Sequence, residues 1–277
     1  MKKAILKAPA KINLTLEILN KREDGFHNIQ SIMHTINLFD ILTVEYETDF
    51  KGIKIKLDGN NPEIPYNEKN LVYKACMAFL KKAKIENFYT KIYMEKNIPT
   101  EAGLAGGSSD AVAVLKYLNE IFNNILSDEQ MNNICSELGS DLNFCLKGGC
   151  CLCTSRGEIV EPLKTVSSPI TLIKPKNIGI SAKEAYQKYS LLKDKKFWDN
   201  SSKLKALIQE NKFDKTLIVN DLEKALINDY QEFKEIKQKL PPSVMTGSGS
   251  VFYILEPFLP VQLDKAKYDI YENYKLI

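Results

Sequence analysis

The chain contains no apolar run near the ~20 residues a membrane helix requires. Its opening, "MKKAILKAPAKIN", has two lysines before a short apolar stretch that Lys7 interrupts. It does not read as a signal peptide. The expectation is a cytoplasmic protein with no membrane partner. Net charge is also scarce, +3 over 277 residues, with the lysines spread along the chain. Neither a phosphate-tracking surface nor a polybasic patch follows, so no nucleic-acid partner is expected. Histidine is scarce too, with two in the chain. Both lie far in sequence from "GGCCLCTS", where Cys150, Cys151 and Cys153 crowd together. Neighbours on a strand point to opposite faces, which is poor geometry for a metal. These residues read as small buried apolar side chains. Internal repeats and low-complexity segments are absent.

What remains is an ordinary globular composition, 44% hydrophobic and 26% charged, in a length that fits one or two domains. In "INLTLEI", Ile12, Leu14, Leu16 and Ile18 alternate on one strand face, with Lys11, Asn13, Thr15 and Glu17 on the other. "ILTVEY", "GIKIKL", "FYTKIYMEK", "ITLIKP" and "VFYIL" read as further strands. Helices are predicted near 71–82, 108–122, 128–138, 182–192, 204–209 and 261–268. Strand runs interrupted by single helices indicate α+β rather than a doubly wound parallel sheet. A domain boundary is placed near Ser155, dividing the chain into 1–154 and 155–277.

The most unusual stretch is "IPTEAGLAGGSSDAVAVLKYLN". Pro99 ends the preceding strand. Gly103, Gly106 and Gly107 free the backbone and let a ligand approach it. Ser108, Ser109 and Asp110 are helix-start residues. Ala111, Val114, Leu115 and Leu118 follow as an apolar stripe at helical spacing. The first turn of a helix presents unpartnered N–H groups and a positive dipole end, which suits phosphate. No Gly-Lys-Ser/Thr follows, so this is not a Walker loop, and GxGxxG is also missing. A plain strand-to-helix connection capped by its serines remains the competing reading.

"PTEAGLAGGSSDA" resembles the central motif of the GHMP kinases, in which this loop wraps the nucleotide phosphates. "KAPAKINLTLEI" is similar to their N-terminal motif, and "MTGSGSVFYI" to their C-terminal glycine motif. The three blocks stand in the family's order and span nearly the whole chain. The resemblance implies a two-domain fold: an N-terminal ribosomal S5 domain 2-like part, a C-terminal α+β sandwich, and an active site in the cleft between them. "REDGFHNIQSIMHTINLFD", "GSDLNFCLKGG", "GISAKEAY" and "NDLE" further resemble the branch that phosphorylates a cytidine-diphosphate-linked methylerythritol in the non-mevalonate isoprenoid route.

The resemblance also implies roles. Asp141 matches the family's catalytic aspartate and Lys11 its catalytic lysine. A nearby ammonium would keep the carboxylate ionised. The carboxylate would orient the acceptor hydroxyl while the lysine offsets charge on the phosphoryl group. Without the resemblance, Asp141 would be a helix cap and Lys11 a solvated strand lysine. The loop Pro99, Thr100, Glu101, Ala102, Gly103, Leu104, Ala105, Gly106, Gly107, Ser108 and Ser109 would hold ATP, with Asn70 and Lys96 near the adenosine. Asn13 shares a strand face with Lys11 and would hold the acceptor. Phe26 and Tyr186 would sandwich its cytosine, with His27 on the base edge. Gly247 and Ser248 would bring bare backbone to the same end. Mg²⁺ would accompany ATP, with Ser108 as its possible protein contact.

The chain departs from the family at Phe26, usually tyrosine, at Asn143, usually proline, and at Ser181, usually threonine. Glu101 would repel ATP if it pointed inward and is expected to face solvent. The implied partner is a small molecule carrying a cytidine diphosphate, and the implied state a monomer or weak homodimer. Two alternatives stand. One is a homoserine- or mevalonate-type kinase, against which "DGFH" and "KINL" argue. The other is a noncatalytic nucleotide- or RNA-binding module, against which the near-neutral charge and the presence of Lys11 and Asp141 argue.

Overall fold

The computed structural model describes every residue except Asp194 and Lys196. The chain begins with β1 (Lys2–Asn13), β2 (Thr15–Lys21), the long β3 (His27–Glu47) and β4 (Ile53–Gly59). Then come α1 (Leu71–Lys82), β5 (Phe88–Glu95), α2 (Gly106–Ile121), α3 (Asp128–Leu138) and α4 (Ser140–Lys147). Strands β6 (Cys150–Ser155), β7 (Ile159–Leu163) and β8 (Pro169–Pro175) precede α5 (Ala182–Ser190) and α6 (Asn200–Gln209). The chain ends through β9 (Val219–Asn220), α7 (Asp221–Leu226), α8 (Gln231–Lys239), β10 (Val244–Met245), β11 (Phe252–Ile254) and β12 (Tyr268–Lys275). This is a mixed α+β fold. Among the described residues no helix is long and apolar enough to cross a membrane.

Two compact units interleave along the chain. The first comprises Met1–Ala10, Leu38–Ile98 and Ala105–Lys147. In it β4 runs parallel to β5, and β5 antiparallel to the later part of β3, with Leu42 opposite Met94. Phe88, Thr90, Ile92 and Met94 alternate inward along β5. Helices α1 to α4 supply the opposing apolar surface. Phe79 and Leu80 of α1 and Leu115 and Leu118 of α2 belong to one core with Ile92. The 3.6-residue stripe predicted for α2, Ala111, Val114, Leu115 and Leu118, therefore does the packing. The capping box of Ser127 and Gln130 starts α3.

The second unit comprises Lys11–Asn37, Pro99–Leu104 and Gly148–Ile277. Here β2 and β6 pair with the early part of β3, β7 with β6, and β9 runs parallel to β2. A separate sheet has the order β10-β11-β8-β12. Its Ile173 and Phe252 share a core with Phe233 and Ile236 of α8. Cys150 and Cys153 stand at CxxC spacing, but on β6 an odd separation puts them on opposite faces. Both are buried, as are Cys76 and Cys135. Burial pushes the thiols of Cys76, Cys135 and Cys150 up to about 12.

Several expectations change. The loop helix starts at Gly106, before the serines, and Ala105 is its cap residue with no side-chain cap bond. A helix expected at 261–268 is absent. Asp264 closes a single turn, receiving Ala266 N on its carboxylate at 2.8 Å and Lys267 N on its carbonyl at 2.9 Å, and Tyr268 then opens β12. Helices α4, α7 and α8 were not expected. They are short, and α8 buries little beyond Phe233 and Ile236, so periodicity gives them a weak signature.

The polar face of "KINLTLE" is buried as fully as the apolar one, with Lys11, Asn13, Thr15 and Glu17 all sealed from solvent. Glu17 shows why. Its two oxygens accept Asn200 N at 2.9 Å and Ser201 N at 2.8 Å, capping α6, whose own cap residue Asp199 makes no side-chain cap bond. Replacing Glu17 with alanine should lower stability by about 1–3 kcal/mol, since two buried helix-end donors lose a charged acceptor. Urea unfolding followed by circular dichroism measures it, and a midpoint unchanged from the parent would contradict this capping role.

Candidate active site

In the second unit, β1 delivers Lys11 and Asn13 to the same face two residues apart. The Lys11 ammonium donates to Asn13 Oδ1 at 2.8 Å and to the Gly103 carbonyl at 2.9 Å. Its own N–H donates to the Leu104 carbonyl at 3.1 Å, so strand and loop are fastened twice. Asn13 Nδ2 donates to Ser31 Oγ at 2.8 Å, and Ser31 Oγ donates to the Thr15 carbonyl at 2.5 Å. Asn13 N donates to Thr246 Oγ1 at 3.0 Å. Lys11 and Asn13 are thus brought together with the glycine turn that follows β10.

The loop Pro99–Leu104 holds Ala102 and Leu104 buried, while Pro99 and Thr100 are partly covered. Gly103 has φ +73°, and a Cβ there would collide with the Thr246 carbonyl oxygen. Gly247, at φ +54°, would place a Cβ 2.9 Å from Gly103 Cα. The two glycine segments therefore touch main chain to main chain, which a side chain on either would prevent. Gly247 is buried and Ser248 half-buried. Glu101 is exposed, and its carboxylate lies over Gly179, where a Cβ would collide with it.

His27 stacks on Tyr186, with ring centroids 5.4 Å apart and planes inclined by 20°, and meets Tyr189 edge-on. Burial and the charges of Lys21 and Lys195 lower the His27 pKa, favouring the neutral ring at pH 7. Phe26 is 52% exposed and carries the Arg156 guanidinium 5.1 Å above its ring. Arg156 is in turn paired with Glu158. The three expected base-binding residues lie in one unit, with His27 and Tyr186 in contact.

In the first unit, the N-terminal turn of α2 has no side-chain cap, and Gly106, Gly107 and Ser108 occupy it. Ser109 is buried, Ser108 half-buried and Gly107 exposed. A Cβ on Gly106 would sit 3.1 Å from Ile98 Cγ2 and 3.3 Å from Asp40 Oδ2. Directly beside this turn is a buried ion cluster. The Lys96 ammonium contacts Asp40 Oδ2 and lies 2.5 Å from Asp110 Oδ2. Asp40 Oδ1 accepts Asn97 N at 2.6 Å and Ile98 N at 2.8 Å. Burial opposes the Lys96 charge, but Asp110 and Asp40 outweigh it and raise its pKa. Asp110 is pushed up to about 7 by burial first, with Lys96 opposing and Asp40 adding. Its Oδ1 is the one buried side-chain oxygen or nitrogen among the described residues with no hydrogen-bond partner.

Asn70 caps α1, accepting Val72 N at 2.9 Å and donating to the Pro65 carbonyl at 2.9 Å. Asp141 lies half-buried in the first turn of α4. Asn143 faces α3, donating from Nδ2 to the Asn132 carbonyl at 3.1 Å. Among the described residues there is no group of three or more His, Cys, Asp or Glu side chains able to hold a metal ion.

Residues 70–149 match the model of the GHMP kinases N-terminal domain. A protein of Clostridium acetobutylicum called 4-diphosphocytidyl-2-C-methyl-D-erythritol kinase is 37% identical, with 90% of this chain and 89% of that one covered. One of the same name from Clostridium beijerinckii is 36% identical, with 93% of each chain covered. The chain belongs to the 4-diphosphocytidyl-2-C-methyl-D-erythritol kinase family. A crystal structure of a 4-(cytidine 5'-diphospho)-2C-methyl-D-erythritol kinase superposes with a TM-score of 0.75 at 27% identity, covering 92% of this chain and 91% of that one. Homoserine kinase from Cytophaga hutchinsonii shares the fold, with a TM-score of 0.72 at 19% identity over 100% of this chain and 98% of its own. As a member of this family the chain is a kinase, with ATP as co-substrate.

Sequence reasoning missed Asp40 and Asp110 beside Lys96, and Thr246 beside Asn13. From the sequence, Asp110 reads as a helix-start residue. A buried aspartate five places into the helix, one turn past its true start, carries no local signature that separates capping from ion pairing. The cluster yields a pH prediction. Asp110 holds its proton more tightly folded than unfolded. Its contribution to stability is therefore full below its unfolded value near ~4 and is lost as pH rises through its folded value. The stability of the parent relative to Asp110→Asn should fall steadily over that window and then level off. Urea midpoints of both proteins across pH test this, and a constant difference would rule out titration at Asp110.

Proposed function

We propose that the chain transfers the γ-phosphoryl group of ATP to the 2-hydroxyl of 4-diphosphocytidyl-2-C-methyl-D-erythritol, in the non-mevalonate route to isoprenoid precursors. The observation that carries this reading is Lys11: a buried ammonium held against the carbonyl of the glycine loop. An ammonium fixed beside a phosphate-type loop is placed to offset anionic charge on a transferring phosphoryl group. The names of the relatives supply the acceptor.

In this reading the uncapped first turn of α2 and the backbone of the preceding loop receive the phosphates. Asp141 orients the acceptor hydroxyl and takes its proton, and Lys11 offsets charge on the transferring group. Phosphoryl transfer runs through a loose transition state, so positioning and charge carry most of the catalysis. The neutral His27 ring can both donate and accept, which suits the amine and carbonyl edge of cytosine. Tyr186 and Phe26 offer faces for stacking. The donor set fits Mg²⁺ only as a guest of the nucleotide: Ser108 gives a hydroxyl in the first turn, and among the described residues there is no carboxylate cage. Mg²⁺ keeps several waters and rides on substrate phosphates. When bound it would neutralise phosphate charge.

A coupled ATPase assay compares the cytidylated acceptor with methylerythritol phosphate lacking cytidine. The cytidylated acceptor should be favoured by at least about fivefold in kcat/KM, because stacking alone supplies about 1–3 kcal/mol per base. Equal reaction of both would replace the cytosine reading with a broader sugar-alcohol kinase. Lys11→Ala and Asp141→Asn should each lose most turnover while keeping the parent circular dichroism spectrum. Near-parent turnover in a folded variant would remove that residue from the chemistry.

A further inference from the structure

The motif "NDLE" begins with Asn220, buried at the start of α7. Its side chain has two separate employments. Oδ1 accepts Leu222 N at 2.9 Å and caps the helix. Nδ2 points the other way, donating to the Met245 carbonyl at 2.6 Å and to the Gly247 carbonyl at 2.8 Å. Both amide hydrogens are spent on the carbonyls of the residues on either side of Thr246. A helix cap needs only the oxygen, so serine, threonine or aspartate would serve it equally. Asparagine alone among common caps adds a two-hydrogen donor. Glu223 of the same motif accepts Met245 N at 2.8 Å, so the motif grips this strand end from both sides.

Thr246 transmits the grip. Its Oγ1 receives the main-chain N–H of Asn13, and Asn13 Oδ1 receives the Lys11 ammonium. The Thr246 carbonyl lies where a Cβ on Gly103 would be, so the same peptide sets how closely the Gly103 loop can approach. We infer that Asn220 is a positioning residue for phosphoryl transfer, fixing the Met245–Gly247 turn so that Asn13 and Lys11 meet the acceptor in register. The inference rests on the proposed kinase reading, and within it adds a group that touches no substrate. A displacement well under the width of an atom in this turn would reach Lys11 through two hydrogen bonds, and reaction rates are sensitive to such shifts.

The test uses two substitutions that keep the cap. Asn220→Ser retains an oxygen for Leu222 N and removes both turn bonds. Asn220→Asp retains the shape and turns an oxygen toward two carbonyl oxygens. Both should lower kcat/KM for the cytidylated acceptor, by roughly ten- to a hundredfold, with aspartate the worse. The loss should fall on kcat and acceptor KM, while affinity for a nonhydrolysable ATP analogue, read by calorimetry, stays within a fewfold of the parent. Parent-like kcat/KM in folded Asn220→Ser would overturn the inference. So would a parallel fall in acceptor and analogue affinity, the mark of general loosening. Thr246→Val, isosteric and silent toward α7, should reproduce the acceptor-selective loss, and parent-like turnover there overturns the relay even if the Asn220 variants fail to fold. Absence of turnover in the parent would instead count against the kinase reading.

Discussion

A lysine ammonium buried on the polar face of a strand is the constraint around which the second unit is organised. Lys11 cannot reach bulk water, so its surroundings must supply oxygen, and they do so from Asn13 and from the carbonyl of Gly103. That requirement fixes the path of the glycine loop, since the carbonyl must face the strand. The loop then needs left-handed backbone at Gly103, and the facing turn needs it at Gly247. Two glycine motifs more than a hundred residues apart in sequence therefore share a cause: bare backbone is what lets each approach the other.

The first unit meets a related problem with charge. Lys96 is set between Asp40 and Asp110, and Asp40 also holds the N–H groups of Asn97 and Ile98. Replacing either carboxylate by an apolar residue would leave a buried ammonium short of a partner, which is the expensive way to break an ion pair. The cluster also explains Gly106, because a side chain there would press on Asp40 and Ile98. Under the kinase reading, the ammonium that the resemblance placed near adenosine is engaged in holding the start of α2.

The legible parts of the sequence were those where a single period dominates. Helix α1 falls at its predicted bounds, and α3 likewise, because apolar stripes follow side-chain caps at Asn70 and Ser127. The strand "FYTKIYMEK" was legible for the same reason, with β5 alternating inward and outward, whereas "ITLIKP" was legible as a short buried run. The start of α2 was misplaced because serines usually cap, whereas Ala105 in left-handed backbone ends the loop here. Helices α7 and α8 left little signal, since α7 spans six residues and α8 buries only Phe233 and Ile236. The site followed the same division. Residues adjacent in a motif, such as Lys11 and Asn13, could be read together from strand period. Asp40 with Lys96, or Asn220 with Gly247, meet only through the fold, and no local pattern marks them.

The buried cysteines give the native chain an internal clock. With the thiols of Cys76, Cys135 and Cys150 raised by burial, thiolate is almost absent at neutral pH. A soluble thiol reagent must then wait for the surrounding core to open. Cys76 and Cys135 sit in the core of the first unit, while Cys150 belongs to the second. The rates at which these sulfurs become modified therefore time the opening of two packing units separately, without any label being introduced.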